Sequence, residues 1–431
     1  MEISHDKSYS VAIVGGGMGG LGAAGILSQA GHRVLLLEAH NKIGGLSTWF
    51  YRENKKHLFQ VTQNLFPKRM QKSMIRIWGK AFSNYLIDFD QTYFFNGQLT
   101  YLPYRAENLG KFFVERQWIT NDQWKSFLLS LQSHRPPTGT IEEYLQHFFG
   151  DNKEIIYYLY QPLKFAKALN LQDSALPFWQ TLCHFFPDGP YLLNTSLPAF
   201  FNHLKSELQS RHVEIKINHP VKSLTKVREE FQLHTPKKIF HAKSIIWNAP
   251  LNRLAAELNE VPTWNELKVQ QKTSIYQVYM GLDQPLPRAT HIIFIHKDID
   301  PHQGHLFYDH SLRTLTYTFQ SNPFNSNNKK EISDKALILA TQIYGEALEV
   351  GYVEASTPRT VERYTGHPMG SAFGTNSKGS NFVQTVLPKH SGIYFCGAFG
   401  ESVSGWQGVL NYAQYISNEA DSFLTSYPTA P

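Results

Sequence analysis

The sharpest hydrophobic patterning lies in the first fifty residues. Ser10–Val14 (SVAIV) is a short continuous apolar run, the pattern of a strand buried on both faces. Small and apolar residues follow (LGAAGILSQAG), as a helix packed on a sheet requires, and Gly31 ends it. RVLLLEA then gives a second buried strand closing on Glu38. This β-α-β order predicts an α/β fold with a parallel sheet. Further along, Gln91–Tyr104 reads as a hairpin with Asn96-Gly97 at its turn, and Ile141–Gly150 and Ile155–Leu169 read as helices. Ser196–Ser210 is an amphipathic helix, followed by strand patterns in VEIKIN, VKSLTKV, FQLHT and SIIWNA. Thr273–Asp283 and His291–Asp298 are two more strands, and SGIYFCG is a final buried strand before a helix running to about Leu424. The stretch Val361–Ser371 (VERYTGHPMGS) is too broken by Gly and Pro for regular structure and reads as a loop. His302 and His305 sit beside Pro301 and Gly304, which places them in a solvent loop.

Composition narrows the function classes. The chain has 431 residues, 42% hydrophobic and only 18% charged, enough to build a real core. Aromatics reach 14%, with 29 Phe and 22 Tyr, which suits either a heavily aromatic core or a long apolar ligand tunnel. Cys183 and Cys396 are the only cysteines, so neither a disulfide framework nor a thiolate metal site is expected, and a reducing cytoplasm fits. The polar N-terminus is not a secretory signal, and no apolar run is long enough to span a bilayer. A net charge of +6 with dispersed basic residues gives no nucleic-acid motif. No H-E-x-x-H and no G-x-S-x-G occurs, so metal-dependent hydrolysis and acyl transfer have no support.

Candidate chemistry begins at Gly15-Gly16-Gly17-Met18-Gly19-Gly20, where Gly15, Gly17 and Gly20 fit G-x-G-x-x-G between strand and helix. Gly15 permits the tight turn, Gly17 lets backbone approach a pyrophosphate, and Gly20 lets helix and strand pack closely. The helix start at Met18 and Gly19 offers N–H groups to phosphate. Glu38, followed by Ala39, is placed to accept hydrogen bonds from ribose hydroxyls and disfavours a 2′-phosphate. At the other end, Gly397-Ala398 and then Gly405, Gly408 and Val409 form a second glycine-rich loop opening a helix.

These motifs, with Lys42-Ile43-Gly44-Gly45 after the second strand, resemble the amine oxidase and phytoene desaturase superfamily of flavoproteins. The resemblance implies a glutathione-reductase-like, Rossmann-type FAD domain with an inserted mixed α+β substrate domain. The implied boundaries are 1–85, 191–262 and 355–431 for FAD, and 86–190 and 263–354 for substrate. It places Gly44-Gly45 against the flavin, Val221 near the adenine, and Gly397, Ala398, Gly405, Gly408 and Val409 on ribityl and pyrophosphate. Leu46 stands where Arg is common in relatives, and Phe59-Gln60-Val61-Thr62 replaces their Phe-Asp-x-Gly. Thr357–Gly374 (TPRTVERYTGHPMGSAFG) resembles an element of phytoene desaturases, carotenoid isomerases and retinol saturases, with His367 and Met369 as departures. The resemblance therefore implies an FAD-dependent oxidoreductase, a desaturase or dehydrogenase moving hydride from a long apolar isoprenoid or polyene to flavin. Peripheral attachment to lipid on the cytoplasmic membrane face follows from such a substrate, with Phe112–Trp124 as its candidate patch. Two alternatives stay open: a flavin amine or porphyrinogen oxidase, and a non-redox isomerase or lipid-binding flavoprotein. Amine oxidases carry a Lys in a strand near Thr273–Asp283, and Lys272 is the nearest candidate here. No catalytic residue is assigned.

Overall fold

The computed structural model describes residues 8–62, 65–95, 97–133, 135–167, 169–269, 273–295, 304–321, 328–373, 377–397 and 405–426. Asn96, Lys272, His302, Gly374 and Ala398 lie outside them. The first strand, Tyr9–Val14, pairs in parallel with Val34–Leu37 on one side and with Ile239–Trp247 on the other. Glu214–Lys216 extends this sheet in parallel beyond Val34–Leu37, and Ile393–Phe395 pairs in parallel with Ile239–Trp247. Glu230–His234 and Ser223–Val227 complete it as an antiparallel edge. All four residues of Val34–Leu37 are buried, as the continuous apolar run requires. The first helix, Met18–Gln29, packs against the last, Trp406–Ser426; Leu410 lies 2.6 Å from where a Cβ on Gly22 would stand. The glycines of the first helix thus serve helix packing as well as the tight turn before it.

A second sheet runs in the order Val350–Ser356, Ser274–Leu282, Thr314–Ser321, His305–Asp309, His291–Ile295, Asp90–Phe95, Gln98–Tyr101. All its pairs are antiparallel except Asp90–Phe95 with His291–Ile295. Strict alternation splits Ser274–Leu282: Tyr276, Val278 and Met280 enter one core with Leu315, Tyr317 and Phe319, while Ile275, Gln277 and Tyr279 face the other way into a cavity. His305 belongs to this sheet, buried at 5% exposure, and is not in a solvent loop. The Pro-Gly signal marks the approach to the strand, and the HLFYD run that follows continues it.

The aromatic excess goes largely into a third cluster, where Tyr93, Phe113, Trp124, Phe127, Tyr158 and Phe178 pack together. Phe113 and Trp124 meet edge to face at 5.7 Å, both buried, and Phe112 and Trp118 pack onto the same cluster. The aromatic side chains of Phe112–Trp124 therefore pack into the core, while the exposed positions of the segment are polar or charged (Glu115–Gln117 and Thr120–Gln123), so it presents no apolar patch to lipid. In the helix Lys153–Lys167, Pro162 has no N–H to give the Tyr158 carbonyl; the Tyr93 hydroxyl donates to that oxygen at 3.3 Å, and Tyr104 donates to Leu159 O at 2.6 Å.

The segment read as a loop is partly a helix, Pro358–Thr365. Thr357 and Thr360 close a capping box, Pro358 sits at its start, and Gly366 ends it in the left-handed conformation (φ 71°). Five helical residues of that stretch, Val361–Thr365, preceded by these caps, outweigh the Gly and Pro that follow. Gly370 (φ 62°) is the tighter position: a Cβ there would lie 2.0 Å from Pro358 O, whereas at Gly366 the nearest atom is 3.6 Å away. Gly366→Ala is expected to cost about 1–2 kcal/mol of stability from left-handed strain alone. Gly370→Ala adds a backbone clash, for about 2–5 kcal/mol in total. Urea midpoints of the two variants check this, and equal midpoints would sink it.

Candidate functional site

A single cavity of about 1450 Å³ runs from the glycine-rich turn to the inner face of the second sheet. Gly15, Gly17, Met18 and Gly19 line it where the first strand passes into the first helix. Glu38 and Ala39 line it at the end of the second strand, and Gly44, Gly45 and Leu46 in the turn beyond. Val221, Gly397, and Gly405 with Gly408 and Val409 reach the same cavity from three later chain segments. Gly20 lies behind the turn, where a Cβ would meet Gly15 O at 2.2 Å. It sets the helix–strand contact and does not itself line the cavity.

The geometry at this end is fixed by backbone approach. Gly15 has φ 106°, and a Cβ on it would stand 2.7 Å from Asn248 O. Gly17 pairs with Gly44, whose N–H donates to Gly16 O at 2.8 Å. The buried Glu38 carboxylate accepts from Gly16 N–H and from His40 N–H, both at 2.7 Å. These bonds hold it rigidly at the strand end, as an oriented acceptor for hydroxyls must be held. The first helix has no side-chain cap at Gly17, so no side chain competes for its first-turn N–H groups. Asn248, which sequence reading missed, donates Nδ2–H to Gly15 O at 3.1 Å and its own N–H to Val14 O at 2.8 Å. A polar Asn closing the buried strand SIIWNA was the available signal.

The helix Pro358–Thr365 and its following turn form the opposite wall, with Arg359, Arg363, Gly366 and His367 on the cavity. A His40 ring N–H bonds the Tyr364 carbonyl and joins this wall to the Glu38 strand end. His367 stands beside Arg253, and burial, then that charge, push its pKa down. Trp406 Nε1–H donates to Ser47 Oγ at 2.6 Å, joining the start of the last helix to the Gly44–Gly45 turn. The departure at Leu46 is also tied in: Thr62 donates to the Leu46 carbonyl at 3.0 Å.

At the far end the lining mixes polar and apolar groups. Tyr279 OH donates to Gln277 Oε1 at 2.7 Å, and Gln277 Nε2–H to Thr318 Oγ1 at 3.4 Å, so the amide orientation of this buried Gln is set. Gln320 Nε2–H donates to Lys164 O at 2.9 Å. Arg52 grips Glu354 through two bonds, 2.6 and 3.1 Å, with its guanidinium over the Phe50 ring. Burial would raise the Glu354 carboxyl, but hydrogen bonds from Arg52 and Tyr352 outweigh it and hold the group below its usual range. The cavity-facing positions of Ser274–Leu282 are Ile275, Gln277 and Tyr279, so within this strand a Gln and not a Lys faces the site. Among the described residues no group of three or more His, Cys, Asp and Glu side chains can hold a metal. No helix among them is long and apolar enough to cross a membrane.

Residues 13–80 match a family model described as an NAD(P)-binding Rossmann-like domain. The L-amino-acid oxidase of Notechis scutatus scutatus is 32% identical over 96 residues, 22% of this chain and 18% of that one. The L-amino acid oxidase of Cerastes cerastes is 39% identical over 84 residues, 19% and 15% of the two chains. The chain thus spans under a fifth of the length of these curated relatives. Solved structures match over far more. A protein from Exiguobacterium sp. 255-15, put forward as a protoporphyrinogen oxidase, superimposes with TM-score 0.67 at 18% identity, over 96% of this chain and 99% of that one. Putrescine oxidase bound to putrescine gives TM-score 0.68 at 15% identity, over 96% and 99%. The chain has the fold of these flavin oxidases. An oxidoreductase from Methanosarcina mazei agrees, with TM-score 0.68 at 14% identity over 95% and 99% of the two chains.

Two outcomes follow from this geometry. Asn248→Ala removes one clamp on the glycine turn and is expected to weaken dinucleotide binding about fivefold, the worth of one hydrogen bond near 1 kcal/mol; a fluorescence titration of apoprotein with FAD reads it. Burial pushes the His305 pKa down to about 3, so above the ordinary value of 6.5 the group is neutral in both folded and unfolded chains and its full contribution is present. As pH falls below 6.5 the unfolded chain binds the proton first, and stability drops by about 2 kcal/mol by about pH 5. His305→Gln should flatten this acid limb in urea melts across pH; an unchanged limb would refute the assignment.

Proposed function

We propose that the protein is an FAD-dependent oxidoreductase that takes hydride from a substrate held on the inner face of the second sheet. The observation that carries this is the continuity of the cavity: a glycine-built dinucleotide cleft opens directly onto that face. The fit to FAD rests on the close main-chain approach that Gly15, Gly17, Gly44 and Gly45 allow around the cleft, where a Cβ would press on Asn248, Ser47 or Gly17, and on the oriented Glu38 carboxylate. FAD supplies the hydride-accepting ring when bound. The chain's own residues bind, orient and exclude water. Glu38 accepts from ribose hydroxyls, the first turn of Met18–Gln29 faces phosphate, and Gly44–Gly45 admits the ring. Phe50, Ile275 and Ile292 supply apolar wall for the substrate body, and the fixed amide of Gln277 sets its register.

For the substrate we retain a long apolar isoprenoid or polyene, supported by the resemblance of Thr357–Gly374 to desaturases. The polar lining of Gln277, Thr318, Gln320 and His305 favours a second reading, an oxidase of the amine or porphyrinogen type. Purified protein should show a flavin band. Anaerobic addition of a polyene should bleach it; bleaching by amines or a porphyrinogen instead selects the second reading. Bound flavin that no class reduces would overturn the redox assignment. Under either reading, Gln277→Leu is expected to lower kcat/KM about tenfold, a change of about 1.4 kcal/mol, with flavin content retained.

A further inference from the structure

Although basic residues are dispersed over the chain as a whole, one short stretch concentrates them on an exposed face. From Val61 to Ile87 the chain has Lys68, Arg69, Lys72, Arg76 and Lys80 and no acidic residue. The helix Met70–Trp78 buries Met70, Met74, Ile77 and Trp78, which turns its cationic positions outward. Lys68, Arg69, Lys72, Arg76 and Lys80 are all exposed. Lys68 meets Asp188 at 3.5 Å; Lys72, Arg76 and Lys80 have no carboxylate partner among the described residues. Of the acids nearby, Glu207 is paired with Arg211 at 2.7 Å, and Asp88 with Arg105. The last helix packs beside this face through Gln407–Ser73, and its positions from Gln407 to Asn418 carry no charge. Arg69, Phe66 and Pro67, at the start of the same segment, line the cavity, as do His184 and Phe185. Ile87 is 45% exposed on Leu86–Ile87, which pairs with Pro190–Leu193; that strand in turn pairs with Phe66–Pro67.

We propose that this face docks the protein on an anionic lipid bilayer, with Arg69, which is exposed and also lines the cavity, against the headgroups. Charge complementarity selects the partner: each Lys or Arg near an anionic leaflet contributes on the order of 1 kcal/mol, and several must act together for stable attachment. Phe66, Pro67 and Arg69 carry the cavity lining up to this face, and this selects lipid over other polyanions: resting on the apolar-substrate reading above, a substrate would pass there from bilayer to cavity without crossing water. The surface is read from charge and burial and does not rest on the cofactor.

The test is co-sedimentation of the full chain with phosphatidylcholine vesicles and with vesicles containing about a third phosphatidylglycerol. Binding is expected only to the second, and about 1 M salt should abolish it, since the screening length there is about 3 Å. The triple variant Lys72→Glu, Arg76→Glu, Lys80→Glu should bind those vesicles at least tenfold more weakly (about three unit reversals on the docking face). Lys226→Glu, Arg228→Glu, Lys237→Glu makes the same charge change on another surface and should bind as the parent does. Retained far-UV circular dichroism and melting temperature confirm that both variants fold. Absence of phosphatidylglycerol-dependent binding, equal loss in both variants, or equally tight and salt-sensitive binding of duplex DNA through the same three residues would each overturn the proposal.

Discussion

The cofactor half of the molecule depends on main chains meeting where no side chain can stand. Gly15 passes Asn248 and Gly20 passes Gly15, each closer than a Cβ allows, and Gly45 passes Gly17 with room for a Cβ only at a tight 3.1 Å. This crossing lets a parallel strand hand over to a helix whose uncapped N-terminus faces open space. It also brings in the turn after the second strand as the floor of the same cleft. Asn248 then fastens the third strand to the turn. The cleft is a consequence of the packing, so its shape changes only if the crossing itself is lost.

From the same constraint follows the role of the C-terminal third. Trp406 bonds Ser47, and the helix Pro358–Thr365 joins His40, so two late segments close on a site laid down by the first fifty residues. The opposite end of the cavity is built on another basis, strand alternation. Tyr276, Val278, Met280 and Leu282 on one face of Ser274–Leu282 are buried in a core, while the other face carries Gln277 and Tyr279 already hydrogen-bonded to each other. A polar pair fixed in this way gives that end of the chamber a defined orientation.

The β-α-β start, the strand-ending Glu38 and the glycine loops were legible because each is a local signal with its own steric reason. The lining at the far end was not, because it depends on which strands become neighbours, and Asp90–Phe95 pairs with a partner two hundred residues away. Gln277 could have been singled out as a polar residue inside a buried strand. His305 was misplaced because Pro301 and Gly304 dominate its neighbourhood in sequence, whereas in the fold it is a strand residue. Val361–Thr365 was misread for a similar reason: its caps, Thr357 and Pro358, lie upstream of the stretch whose glycines drew attention. Phe112–Trp124 shows the limit of composition, since exposure of an aromatic segment is decided by the helices that cover it.

The parallel pairing of Asp90–Phe95 with His291–Ile295 has a consequence for how the chain is made. The aromatic helical block between these strands completes its core with Ile292, Phe294 and Phe307. On a ribosome, Tyr93, Phe113 and Phe178 emerge long before those residues, and the two tyrosine hydroxyls that pin the Pro162 helix bind across a core still missing one side. Vectorial synthesis therefore holds a large sticky surface open until more than two-thirds of the chain is out. The time for which that surface is open to wrong contacts is set by this interval, through loop closure and the order of emergence, and not by the stability of the finished fold.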